Sequence, residues 1–267
     1  MLSIDEAILI GKSLTLSMHI STQINTHMAL PSDVVLKAED IISINEQNKL
    51  ALERLDAALL LNPTNFYSFY LLFYSYSNGH IFSNYKLKDY PSEFYRLQLY
   101  KHAYKLLDHP SLLSDKYEAV RSDCYFKLAD VFGLYHNYSA SYKYAKLAYE
   151  RRLRSCYHND VAHAKELYLE TRAAFAKLPS LRFAVGDEVE FLRELETGSE
   201  WKLGKIVELY YRERDFDLTF SAPYRLQLLD DSGTADESPV YDWVKADIDR
   251  YARWASGRLR TLAIRSD

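Results

Sequence analysis

The chain has 267 residues, 48% of them hydrophobic and 26% charged, with a formal net charge of −4. That is enough chain for one large domain or two small ones, and it excludes a disordered tail, a disulfide scaffold and a broadly basic nucleic-acid binder. The abnormal count is tyrosine: there are 23, of which 18 lie between Tyr67 and Tyr168 and five follow from Tyr210 onward.

The N-terminus carries Asp5 and Glu6 and no early Lys or Arg, which argues against a secretory or transit leader. Cys124 and Cys156 are too few for a disulfide framework and lack metal spacing, which favours a reducing compartment: the cytoplasm first, the nucleus second. Gly11-Lys12-Ser13 matches the end of a phosphate-binding loop, but Glu6 stands where the loop's first glycine belongs, so no backbone cradle forms. Ala57 to Tyr85 holds no charged residue, yet Asn62, Pro63, Asn65 and Asn78 interrupt it. Its densest run, Phe66 to Tyr74, falls far short of the ~20 residues of a membrane span, so a buried aromatic helix is expected.

Up to Pro179, prolines separate segments of helical length with apolar residues three and four apart. Ala51, Leu55, Ala58 and Pro63 are spaced as in the second helix of a tetratricopeptide repeat, where small residues let two helices approach and proline ends the second. Leu128, Ala129 and Phe132, then Tyr138, Ser141, Ala145 and Ala148, match a second such pair, with Leu153 in place of its closing proline. The segment resembles a tetratricopeptide-like array with a degenerate middle unit, roughly Phe66 to Leu107, whose enlarged connection is expected from Gly79 to Pro91. A helix from about Asp160 to Lys177 would cap the last pair, and most tyrosines are expected to pack between helices.

The resemblance implies a concave groove lined by first helices. In a common frame Asp33 aligns with Asp123, Leu36 with Phe126 and Asp40 with Asp130, so the groove candidates are Asp33, Asp40, Asp123, Phe126 and Asp130. Members that clasp a chaperone C-terminus carry Lys and Asn at the positions of Leu36/Phe126 and Asp40/Asp130. The departure in charge points instead to a basic or apolar partner segment.

From Ser180 the chain turns acidic, with 13 basic and 18 acidic residues, and five of the eight glycines lie there. Val185-Gly186-Asp187 leads into alternating Val189 and Phe191; Trp201 to Tyr211 reads as a long strand kinked at Gly204; Pro223 to Leu229 alternates again before a turn at Asp231–Gly233; and Val240 to Val244 is a fourth strand. In that order these motifs resemble an SH3-like barrel of the Tudor/Agenet type, similar to modules found beside ankyrin repeats and MYND fingers in protist proteins. The resemblance implies a ring-lined face on which methylated lysine or arginine is held in the members that read it. Rings are offered by Trp201, Tyr210, Tyr211, Phe216, Phe220, Tyr224, Tyr241 and Trp243, all but Phe216 and Phe220 taken as binding candidates, with Glu208, Glu213 and Asp215 as countercharge and Tyr210 and Tyr211 expected on opposite faces. The end of the chain is locally basic at Arg250, Arg253, Arg258, Arg260 and Arg265, with helix-like spacing at Arg250 and Arg253, and is read as a solvated end rather than a phosphate-binding one.

His158 and His163 are five apart, off the spacing that puts two imidazoles on one helical face, and no Gly-x-Ser-x-Gly elbow occurs. Asn137-Tyr138-Ser139 is a glycosylation sequon without consequence in a cytosolic protein. The expected fold is α+β and multidomain: a tetratricopeptide-like array over residues 1–179, then a small antiparallel SH3-like barrel over 180–267. The expected function is non-enzymatic docking or scaffolding of a protein or peptide partner, with a methyl-lysine or methyl-arginine reader as the alternative. No catalytic, metal or cofactor residue is assigned, and neither nucleic acid nor membrane is expected as a partner.

Overall fold

Asn62 and Pro63 stop the first long helix, and Asn65 starts the next. In the computed structural model, which describes residues 5, 7–14, 38–86, 92–154, 161–195, 198–229, 240–248 and 250–254, residues 7–14 form helix α1 and Ala38–Leu61 form α2. The Asn65 side chain accepts a 3.0 Å bond from the Ser68 backbone N–H, capping α3 (Phe66–Lys86). Helix α4 (Ser92–Leu107) follows. His109 then caps a short 3-10 turn at Pro110–Leu113: its Nδ1 accepts from Ser111 N, which leaves Nε2 to donate to the Thr64 carbonyl at 2.9 Å. After a second short turn come α5 (Glu118–Leu134), α6 (Tyr138–Arg154) and α7 (Val161–Phe175).

Sequence spacing places the connection after α3 at Gly79. The helix instead runs through that glycine to Lys86, because one interior glycine costs only about 1 kcal/mol and packing overrides it. Asp33, Leu36, Cys156, His158, the Asp231–Gly233 turn, Arg258, Arg260 and Arg265 lie outside the described residues, as does the side chain of Asp40. No helix among the described residues is long and apolar enough to cross a membrane.

The chain divides into two compact units: Met1–Val131 with Tyr144–Tyr168, and Phe132–Lys143 with Leu169–Asp267. In the first, α2 packs on α3 and α3 on α4. Leu55, Leu72, Leu99, Leu106, Leu112 and Leu128 are fully buried there, each stabilising the fold by about 1.5–3 kcal/mol. Tyr95 and Tyr104 are buried as the spacing suggested, with the Tyr104 hydroxyl 2.5 Å from that of Tyr144, whereas Tyr67 is exposed.

The second unit holds a five-stranded antiparallel sheet: β1 (Glu188–Leu195), β2 (Gly198–Tyr211), β3 (Ala222–Leu228), β4 (Tyr241–Val244) and β5 (Ala252–Trp254), in the order β4-β3-β2-β1-β5. Alternation sends Val189 and Phe191 of β1, and Tyr224 and Leu226 of β3, into a core completed by Phe183, Ile206, Val244 and Ala252. Gly204 sits where a Cβ would come within 3.0 Å of the Phe191 ring and 3.2 Å of Leu226 Cβ, so only glycine lets the strands close over that ring. The sheet is open, in contrast to the closed barrel expected. Its edge strands β4 and β5 are four and three residues long, and β1 meets β4 through the Arg193–Asp242 ion pair rather than through a backbone ladder. Arg253 is likewise not helical: it lies in β5, because Ala252 is needed to fill the core, and it pairs with Glu190 at 2.8 Å.

Candidate functional site

Asp123, Phe126 and Asp130 all lie on α5. Asp123 accepts a 2.5 Å hydrogen bond from the Tyr74 hydroxyl and another from the Arg152 guanidinium. Burial, then the Asp123 charge, drives the Tyr74 phenol above its ordinary range. Asp123 is thus engaged within the helical unit. Phe126 stacks on His163 with centroids 5.0 Å apart, and the Lys127 ammonium lies 5.6 Å from its ring. Burial pushes Lys127 down, against the pull of Asp130 and Asp123.

The six ring candidates of the sheet separate. Tyr224 is fully buried and belongs to the core, its hydroxyl accepting from Phe183 N at 3.3 Å, so it is closed to any ligand. Tyr210, at φ 53°, turns toward the end of α7, where its ring meets Phe175 edge-on at 5.1 Å and its hydroxyl donates to the Pro179 carbonyl. Trp201 is 38% exposed, but Arg253 lies 4.0 Å above its ring.

Tyr211, Tyr241 and Trp243 come together. The register sets Arg225 opposite Trp243 and Glu208, and Gln227 opposite Tyr241, so these side chains share the outer surface of β2, β3 and β4. Two further rings arrive from the loop between β2 and β3: Phe216 packs on Trp243 at 4.9 Å and Tyr211 at 6.1 Å, and Phe220 packs on Trp243 at 5.8 Å. Burial first, then the hydrogen bond to Glu213, raises the Tyr211 phenol to about 12, so it remains a donor at neutral pH.

The Arg225 guanidinium was not foreseen at this site. It lies 4.8 Å from the Tyr211 ring and 4.4 Å from the Tyr241 ring, with Glu208 3.9 Å away. Strand alternation around Tyr224 already points Arg225 outward, but only the register with β4 reveals the rings beside it. Glu213, Arg214, Asp215 and Asp217 stand exposed along the loop, and Glu213 accepts from the Tyr211 hydroxyl.

Burial shifts two potentially reactive groups of the helical unit, and in both it favours the neutral form. His102 is buried in the helical unit, and the Cys124 thiol, fully buried, is pushed well up. Among the described residues no group of three or more His, Cys, Asp or Glu is placed to hold a metal ion. Comparison with family models, with curated proteins and with solved structures found no match for the chain.

Proposed function

We propose that the chain is a non-enzymatic docking or scaffold protein whose sheet unit takes a basic peptide segment of a protein partner on the Tyr211–Tyr241–Trp243 face. The observation that carries this reading is the cluster of rings that already holds a guanidinium, with the carboxylates of Glu208 and Glu213 beside it. Aromatic rings that are large, rigid and half-exposed supply most of the free energy of such interfaces, while rim charges steer and select. Tyr241, 44% exposed, and its neighbour Val240 give the face an accessible apolar edge.

Within the same proposal, the sheet is an open variant of an SH3-like fold and the helical unit a tetratricopeptide-like array. The first is supported by a four-strand meander, β1 to β4, whose fifth strand returns to pair with β1, and by the tight turn before β5, where Tyr251 N donates to the Ile248 carbonyl. The second is supported by helix pairs joined through tight turns, with Ala51, Ala58, Ala129, Ala145 and Ala148 wholly buried at the spacing small residues need. The α5 surface around Phe126 and Asp130 is the second docking surface in this reading.

Reading of methylated lysine or arginine is favoured by the convergence of rings beside Glu208, but it requires Arg225 to leave Tyr211 and Tyr241 first. Titration of the full chain with fluorescent arginine-rich, acidic and trimethyl-lysine peptides tests both. Docking predicts that the arginine-rich peptide binds, and that Tyr241→Ala weakens it about tenfold. Equal binding of basic and acidic peptides, or no loss in the variant, would sink it. A strong preference for the trimethylated peptide over its unmodified form would favour the reader.

A further inference from the structure

The tip of the α5–α6 hairpin, Phe132–Lys143, groups with the sheet unit, and one side chain there is engaged wholly with the cap of α6 and with the ring-bearing loop. Asn137 is 4% exposed. Its Oδ1 accepts from Ala140 N at 3.2 Å and Ser139 Oγ at 3.0 Å, which caps α6, and also from Ser221 Oγ at 3.0 Å. Its Nδ2 donates to the carbonyls of Leu218 and Phe220, both at 3.1 Å. No other side chain of this length caps a helix and donates twice: aspartate keeps the cap and loses both donors, and serine keeps only a hydroxyl.

The segment it holds has no regular structure, and side chains anchor its carbonyls. Arg212 donates to those of Phe216, Asp217 and Phe220, and its guanidinium rests 4.7 Å from the Phe132 ring at the end of α5. A third tie runs from Lys143 to Glu208 at 2.6 Å, and Glu208 in turn faces Arg225. Phe216 and Phe220, the two rings that back Trp243, lie inside this anchored segment.

We propose that Asn137 is a positioning residue for the ring face: it locks residues 216–221 to the α5–α6 turn, so the face takes its shape from the helical turn as well as from the sheet. The inference rests on the docking reading for its functional meaning, but the lock itself is testable without a partner. The tripeptide Asn137-Tyr138-Ser139 then has a structural use, and its buried, doubly donating carboxamide is closed to a glycan.

The test uses the full chain carrying Asn137→Asp, with Asn137→Ser as a second variant and Lys146→Gly, at an exposed position of α6, as a control that weakens the helix without touching the cap or the loop. In both Asn137 variants, amide exchange across residues 218–221 is expected to rise about tenfold or more and the Trp243 indole resonance to shift. Affinity for the arginine-rich peptide is expected to fall about fivefold. The control should leave exchange in the loop, the indole and the affinity unchanged at a similar loss of thermal stability. Wild-type exchange and an unmoved indole in the variants, or the same changes in the control, would overturn the lock. Loosening of the loop in a chain whose wild type binds no basic peptide would leave the lock standing and remove the docking reading instead.

Discussion

The central carbon of the Arg225 guanidinium lies 4.4 Å from the centre of the Tyr241 ring and 4.8 Å from that of Tyr211. The protein therefore fills its own pair of rings with a cation. Each such contact is worth about 0.5–1 kcal/mol at a partly exposed site, and the looser pair with Glu208 adds little. Arg225→Met is expected to lower stability by about 1–2 kcal/mol in urea denaturation, chiefly through these contacts. It should also change the binding preference. With Arg225 in place, trimethyl-lysine and lysine peptides should bind within about twofold of each other; without it, the trimethylated peptide should gain. A wild-type chain that already prefers the methylated peptide would show that Arg225 vacates the rings unaided.

Gly204 offers a test of the sheet. Its would-be Cβ meets Phe191 Cε1 at 3.0 Å, Leu226 Cβ at 3.2 Å and the Gln227 carbonyl at 3.3 Å, all inside ordinary contact distance. Gly204→Ala should destabilise the chain by about 1–3 kcal/mol through overpacking. Trimming the ring with Phe191→Leu in the same chain should recover part of the loss. A double-mutant cycle in which the two changes merely add would show that the strain is relieved elsewhere.

How much of this was legible in the sequence depended on whether the signal was local. Asn62-Pro63 ended a helix and Val189, Phe191 and Leu226 alternated inward, because capping and pleat are properties of neighbouring residues, whereas Tyr224, read as a ring of the binding face, lies in the core. The kink expected at Gly204 is not where the ladder is irregular: the register of β2 on β3 shifts between Ile206 and Glu208, and Gly204 instead leaves room for the Phe191 ring on the next strand. The convergence of Tyr211, Tyr241 and Trp243 around Arg225 depends on register across three strands, and the grip of Asn137 on Leu218 and Phe220 joins residues 81 and 83 positions apart. Periodicity cannot see such pairs. The extension of α3 through Gly79 and the open edges of the sheet were missed for a related reason: packing decided them, against a local cue.

Asp123, a groove candidate by alignment of the repeats, is better tested as a structural group. Its carboxylate holds the Tyr74 hydroxyl and the Arg152 guanidinium, whose side chain is only 8% exposed. Asp123→Ala should cost about 3 kcal/mol, because it removes the carboxylate that the buried Arg152 guanidinium and the Tyr74 hydroxyl share, whereas Tyr74→Phe should cost about 1–2 kcal/mol. Adding Arg152→Met to Asp123→Ala should restore much of the stability. If Asp123→Ala is nearly neutral in chemical denaturation, the carboxylate does not anchor these helices and its candidacy for the groove revives.

His102 sets an acid limit on the helical unit. Burial lowers its imidazole to about 4, and Lys105 and Lys101 push the same way against the carbonyl of Gln98, which accepts its Nδ1–H at 2.9 Å. The folded protein therefore prefers neutral His102, whereas in the unfolded chain the group binds a proton at about 6.5. Above that pH both states are neutral and the group contributes no slope. As pH falls from 6.5 toward 4 the unfolded state takes up the proton first, so stability should decline, by about 3 kcal/mol at most by the time the folded form also protonates. His102→Gln removes this contribution while keeping a side-chain donor in the site. Urea denaturation of both proteins between pH 7 and pH 4 should show a shallower acid decline in the variant. Parallel curves for the two would mean that His102 charges in the folded state without penalty, contrary to its packing beneath the Tyr76 ring at 4.7 Å.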